Sequence, residues 1–113
     1  MDENLKKIKE IIVQTAKEMN IEIDRIILFG SRARGDYRED SDYDLLIVTK
    51  EKLDRKTKYK FIENSLKKWN ELRLAQNIQY DLHLIMCSKQ YFEKYKDYIG
   101  DVVGFANKEG III

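Results

Sequence analysis

Two aspartates, Asp42 and Asp44, stand one residue apart behind a Gly-Ser pair, Gly30-Ser31, with residues 32–41 between them. On a β-strand, alternate residues point to the same face, so an Asp-x-Asp pair presents both carboxylates on one side. Hard oxygen donors of that kind suit Mg²⁺, which also keeps phosphate oxygens in its shell. Two such ions can clamp the attacking and leaving oxygens of an in-line displacement at phosphorus. Gly30 can take a backbone conformation closed to other residues and let a phosphate approach the main chain. Ser31 offers a hydroxyl and an N–H where a short helix would begin, a place that favours anions. A Gly-Ser turn or an Asp-x-Asp alone is common in chains that do no chemistry. Strand, Gly-Ser, gap, Asp-x-Asp and strand in that order is a phosphoryl-transfer arrangement.

The elements that must hold these residues are legible around them. Leu5, Ile8, Ile12, Ala16 and Met19 recur at helical spacing, which predicts a helix over 3–19 capped by Asp2 or Asn4 and stopped at Asn20. Ile23 to Phe29 reads as a buried strand ending at Gly30, and Asp42 to Thr49 as a second. The polar stretch 31–40 between them is a loop or short helix. A long helix is expected over 52–75, with Leu53, Tyr59, Ile62, Leu66, Trp69 and Leu72 as its apolar positions. A third strand is expected from Ile78 to Met86. Its even-numbered residues share an apolar face, and Gln79, Asp81, His83 and Ile85 share the other. A last helix over 89–107 would bury Phe92, Tyr95, Ile99, Val102 and Ala106, and Gly110 precedes a short apolar run, Ile111 to Ile113. This alternation predicts an α/β (α+β) domain, a small mixed sheet with flanking helices, with all 113 residues in one unit.

Composition agrees with such a domain. Hydrophobic residues make up 43% and charged residues 36%, enough for a core and too interspersed for a disordered tail. The net charge of +1 points neither toward nor away from nucleic acid, which is not indicated directly. Locally the balance is sharper. From Gly35 to Asp44, Asp36, Glu39, Asp40, Asp42 and Asp44 face Arg38 alone. The following stretch, Lys50 to Lys68, is rich in lysine, as solvated helix faces commonly are. Cys87 has no second cysteine to pair with, no stretch is apolar enough to span a membrane, and the charged start carries no secretory core; a cytoplasmic protein is the expectation.

The stretch LFGSRARGDYREDSDYDLLI resembles the signature of the polymerase-β-type nucleotidyltransferase superfamily, and within it the minimal nucleotidyltransferase (MNT) branch. The resemblance is specific over residues 28–47 and follows the rest of the chain in outline. It implies a polymerase-β-like fold, ATP as substrate, two Mg²⁺ ions and a third carboxylate on a later strand. Asp81 is the candidate for that carboxylate, completing a catalytic and metal-binding set of Asp42, Asp44 and Asp81. Its proposed work is to hold metal and accept the proton of the attacking hydroxyl. His83 shares its face and is left outside the set. Gly30 and Ser31 are the candidates for nucleotide binding. Arg32 and Arg34 beside them can either hold the triphosphate or pair with Asp36, Glu39 or Asp40.

The same resemblance implies a partner. Larger relatives carry a second domain for their acceptor, and the residues here leave no room for one, so a protein acceptor is expected. The MNT branch resembles the antitoxin half of two-gene toxin–antitoxin pairs, whose all-helical HEPN toxin is silenced when a tyrosine hydroxyl receives AMP. Two other readings share the motif: transfer to a small molecule or RNA, and a toxin-binding module without catalysis. Tyr91, Tyr95 and Tyr98 could form an exposed aromatic patch or simply cover the core.

Overall fold

The computed structural model describes residues 2–113. The chain runs α1 (Glu3–Glu18), β1 (Ile23–Phe29), α2 (Ser31–Arg34), β2 (Tyr43–Thr49), α3 (Arg55–Ala75), β3 (Leu82–Ser88), α4 (Lys89–Tyr95), α5 (Val102–Glu109) and β4 (Ile111–Ile112). The four strands form one mixed sheet in the order β3-β2-β1-β4. β1 pairs antiparallel with β2 and β4, while β2 and β3 run parallel and are joined by α3.

Side-chain caps set most helix starts. Asp2 accepts the Leu5 N–H, Asp54 the Thr57 N–H, Ser88 the Tyr91 N–H and Asp101 the Val103 N–H, each satisfying a donor the helix itself cannot. Asn20 follows α1 with φ 56°, a left-handed turn that asparagine tolerates.

Strand alternation divides the core in two. Ile26, Leu28, Tyr43, Leu45, Ile47, Leu82 and Met86 face α1 and α3 and pack with Ile8, Ile12, Phe61, Trp69 and Tyr80. Ile27, Phe29, Leu46 and Val48 face α4 and α5 and pack with Phe92, Val103 and Ala106. A fully buried large apolar side chain contributes roughly 1.5–3 kcal/mol, and every β2 residue from Leu45 to Val48 is inaccessible to solvent. Asp44 lies on the α4–α5 side of β2, beyond the point where those helices cover it.

Several boundaries differ from the sequence expectation. The third strand runs from Leu82 to Ser88, not from Ile78 to Met86. Asn77 turns the chain with φ 54°, and residues 78–81 approach the sheet outside the regular ladder. The assignment of faces holds, because the alternation is unchanged. The expected helix over 89–107 is two helices around a corner at residues 96–101. Gly100 takes φ 96° and Asp101 caps a new start. Ile99, expected in the core, is therefore fully exposed and Val102 is also exposed, while Val103 enters the core in its place. In α3, Tyr59 points to solvent and Phe61 is buried, the reverse of the expected stripe. The final run adds β4 to the edge of β1, with Ile111 opposite Leu28 and Ile112 opposite Ile27. Among the described residues no helix is long and apolar enough to cross a membrane.

Candidate active site

β1 delivers Gly30 to the edge of the carboxylates. Phe29 is paired with Asp44, so the chain must turn immediately beside the Asp44 side chain. Gly30 takes φ 76°, ψ −160°, and a Cβ there would collide with Asp44 Oδ2. Both conformation and space thus demand glycine. Ser31 opens the four-residue helix α2, where Ala33 and Arg34 N–H return to the Gly30 carbonyl at 3.1 Å. The first N–H groups of a helix have no partner within it, and Ser31 supplies one of them beside its hydroxyl.

The parallel register of β2 and β3 places Asp44 beside His83, and Asp81 one step before Leu82, the partner of Tyr43. Asp42, Asp44, Asp81 and His83 therefore share one face across two strands. The Asp81 N–H donates to Asp42 Oδ1 at 2.9 Å, and the Tyr43 N–H donates to the Asp81 carbonyl at 3.1 Å. The His83 ring lies between the Asp-x-Asp carboxylates, with Nδ1 at 3.0 Å from Asp44 Oδ1 and Nε2 at 3.3 Å from Asp42 Oδ2. Asp81 turns its own Oδ1 back onto the Leu82 N–H at 2.8 Å. As they stand, no three acidic, imidazole or thiol side chains among the described residues converge as a metal cage.

The donor chemistry nevertheless fits a divalent cation. Asp42 Oδ2 and Asp44 Oδ1 both reach one small group, the imidazole, and they are hard oxygen donors of the class Mg²⁺ takes.

The arginines have specific partners. Arg32 Nε and Nη2 donate to the Ser41 carbonyl at 3.1 and 2.9 Å, and Nη2 also donates to the Glu39 carbonyl at 3.0 Å. Arg34 pairs with Asp36 at 3.3 Å and with Glu109 at 3.1 Å, which holds its guanidinium above its ordinary pKa, Glu109 contributing most. Of the two alternatives open in the sequence, Arg34 makes an Asp36 pair, while Arg32 meets carbonyls rather than carboxylates. Glu109 lies outside the residues that the sequence singles out. Its Oε1 accepts the Gly30 N–H at 2.8 Å, tying the end of α5 to the Gly-Ser turn. The only sequence signal for it is an acid immediately before the Gly110 turn.

The family model described as the nucleotidyltransferase domain matches residues 5–107. The chain belongs to this family. Among relatives of this nucleotidyltransferase, a candidate protein adenylyltransferase of Methanocaldococcus jannaschii is 48% identical over 61 residues, which cover 50% of this chain and 62% of that protein. A second candidate protein adenylyltransferase of the same organism is 54% identical over 43 residues, 38% of this chain and 43% of that one. The chain thus matches less than two thirds of the length of either relative. Among solved structures, a candidate nucleotidyltransferase of Sulfolobus solfataricus superposes with a TM-score of 0.58 at 21% identity, over 94% of this chain and 76% of that one. The toxin–antitoxin complex MntA-HpeT, in a mutant form, gives a TM-score of 0.51 at 18% identity, over 93% and 70%. At such identities the two structures show likeness of fold.

Proposed function

We propose that this nucleotidyltransferase moves AMP from ATP to a hydroxyl of a partner protein. The observation that carries the reading is the placement of Asp42 and Asp44 on one face beside the Gly30–Ser31 turn, with the Asp81 N–H bonded to Asp42 Oδ1. Mg²⁺, in two ions when bound, supplies charge neutralisation for the phosphates and acidifies the attacking hydroxyl. Asp42 and Asp44 would hold it, and Asp81 would join them if its carboxylate released the Leu82 N–H. Gly30 lets the triphosphate approach the main chain, and Ser31 receives it through its N–H and hydroxyl. Arg34, on the exposed side of the turn, would reach it by exchanging its Asp36 and Glu109 partners for phosphate. The acceptor oxygen forms a bond to the α-phosphorus as the bond to the bridging oxygen breaks. Asp81 takes the acceptor's proton and pyrophosphate leaves. The products are an AMP-ester of the acceptor and pyrophosphate.

The acceptor class is supported by the adenylyltransferase names of the M. jannaschii relatives and by the toxin–antitoxin neighbour. With the resemblance to the MNT branch, these favour a separately encoded HEPN-domain toxin, with this chain as its antitoxin. A lone cysteine, raised by burial to a pKa of about 11, is compatible with the cytoplasm.

The test incubates the protein with Mg²⁺, α-labelled ATP and the neighbouring gene product, and compares wild type with Asp44→Asn by intact mass. The expected result is a gain of one or more AMP units on the partner with wild type alone. A stable complex with no mass gain would sink the enzymatic reading for that partner. Label entering RNA or a small molecule instead would reassign the acceptor.

A further inference from the structure

The three carboxylates are displayed on one face of the sheet, and a single cation grips their neighbours from the other. Tyr43 lies between Asp42 and Asp44 and points into the α1–α3 core; Tyr80, in the same core, immediately precedes Asp81. The two rings are tilted against each other with centroids 5.0 Å apart, and Tyr80 stacks on the buried Trp69 at 5.8 Å. The Arg32 guanidinium lies over both tyrosines, 4.4 Å from the Tyr43 centroid and 5.1 Å from that of Tyr80, and Tyr37 flanks it at 4.4 Å. Planar, delocalised guanidinium stacks on rings in a way that an ammonium does not reproduce.

Its polar edge is committed as well. Two of its N–H groups converge on the Ser41 carbonyl, which belongs to the peptide leading into Asp42. Fixing that carbonyl fixes the plane of the Asp42 amide, one restraint on where its side chain can point. Arg32 therefore touches the residue beside Asp42, the residue shared by Asp42 and Asp44, and the residue beside Asp81. A phosphate ligand would need donors turned outward, whereas Nε and Nη2 are spent on the loop.

We propose that Arg32 is a positioning residue that aligns Asp42, Asp44 and Asp81 from the reverse face of the sheet. The catalytic part of this inference rests on the nucleotidyl-transfer reading; the structural part does not. The Tyr80 ring, rather than its hydroxyl, does the work, since that hydroxyl is buried with no hydrogen-bond partner among the described residues.

Four variants test it: Arg32→Lys, Arg32→Met, Tyr80→Leu and Tyr80→Phe. The first readout is hydrogen exchange of the Asp81 and Tyr43 amides, whose bonds to the Asp42 carboxylate and Asp81 carbonyl report the alignment directly. Exchange at both should accelerate at least about tenfold in Arg32→Lys, Arg32→Met and Tyr80→Leu, and remain at the wild-type rate in Tyr80→Phe. The amides of Leu45 to Val48 should keep their protection, which separates local release from unfolding. The second readout is kinetic. In the same three variants kcat should fall about 10- to 100-fold with KM for ATP held within about twofold. Unchanged exchange in Arg32→Lys, or a KM for ATP that rises tenfold with kcat intact, would overturn the proposal and return Arg32 to the phosphates. If the wild type transfers no nucleotide, the functional reading fails, and the exchange result still decides the role of Arg32.

Discussion

The two faces of the sheet are covered unequally. On one, α1 and the long α3 enclose a continuous core that includes Trp69, Phe61, Tyr43 and Tyr80. On the other, α4 and α5 span seven and eight residues, meet at a corner, and cover a smaller set, Ile27, Phe29, Leu46 and Val48. The carboxylates emerge where this second cover stops. The contrast teaches a division of labour: the thick face holds the strands in register, and the thin face leaves room for ligands to reach them. Residues that are polar on the thin face alternate along the chain with residues that are buried on the thick one.

The strongest way to break this comparison is to change the site without touching the core. Asp44→Asn should lower nucleotidyl transfer by about four orders of magnitude, roughly 5 kcal/mol of transition-state stabilisation. Its melting temperature should stay at or above that of the wild type, because one of the facing carboxylates is neutralised. Single-turnover transfer and a thermal melt read the two quantities; a parallel fall in both would show that Asp44 supports the fold instead.

The same substitution on each face tests the inequality itself. Phe61 and Phe92 are both buried, one toward each face. Phe61→Ala should cost about 4–5 kcal/mol in urea unfolding and Phe92→Ala about 3 kcal/mol, since a site bordered by short helices collapses more readily around a deletion. Equal costs would mean that the thin face is as rigid as the thick one.

Gly30→Ala comes next, at about 1–3 kcal/mol of strain from the left-handed backbone. The new Cβ is directed at Asp44 Oδ2, so loss of activity should exceed loss of stability. Comparing kcat with the melting temperature of this variant checks the point.

A smaller effect is expected from Asp24, whose carboxyl is held below its ordinary pKa, chiefly by the Arg25 hydrogen bond at 2.7 Å. Its folded pKa is depressed, so the stability it contributes is present above the unfolded pKa of about 3.9 and is lost as pH falls through the folded value. Asp24→Asn should flatten the acid limb of a stability–pH curve and leave the neutral region nearly unchanged. Least of all, Tyr59→Ser on the exposed side of α3 should stay within about 0.5 kcal/mol of wild type.

Much of this arrangement is legible in the sequence, for reasons that differ by element. β1 and β2 are short, β-branched and bounded by Gly30 and polar residues, so their signal is local. Alternation alone puts Asp81 on the face opposite Leu82, although the strand begins later than expected. What alternation cannot convey is where a carboxylate's hydrogen bonds go; the turning of Asp81 onto its own strand and the placement of His83 between two aspartates depend on the β2–β3 register. The corner between α4 and α5 is hidden because apolar spacing continues through Ile99 and Val102, while the conformation of Gly100 resets the helical phase. Phe61 and Tyr59 exchange places because both lie near the edge of the α3 stripe, and packing against α1 and the sheet decides between them. Arg32 offers charge as its signal, and charge does not reveal a preference for carbonyls and rings.

The crossover from β2 through α3 to β3 also bears on how the chain folds. Asp42 and Asp81 are 39 residues apart in sequence, and a 21-residue helix must dock before they meet. Closing a loop of that length costs chain entropy that no local contact repays, so the pair forms only when the parallel strands are already in register. The unfolded chain offers a nucleotide nothing comparable. A ligand bound across both strands consequently selects the folded crossover, and it will raise the melting temperature and slow proteolysis, the gain growing with the logarithm of its concentration above Kd, even with no acceptor present.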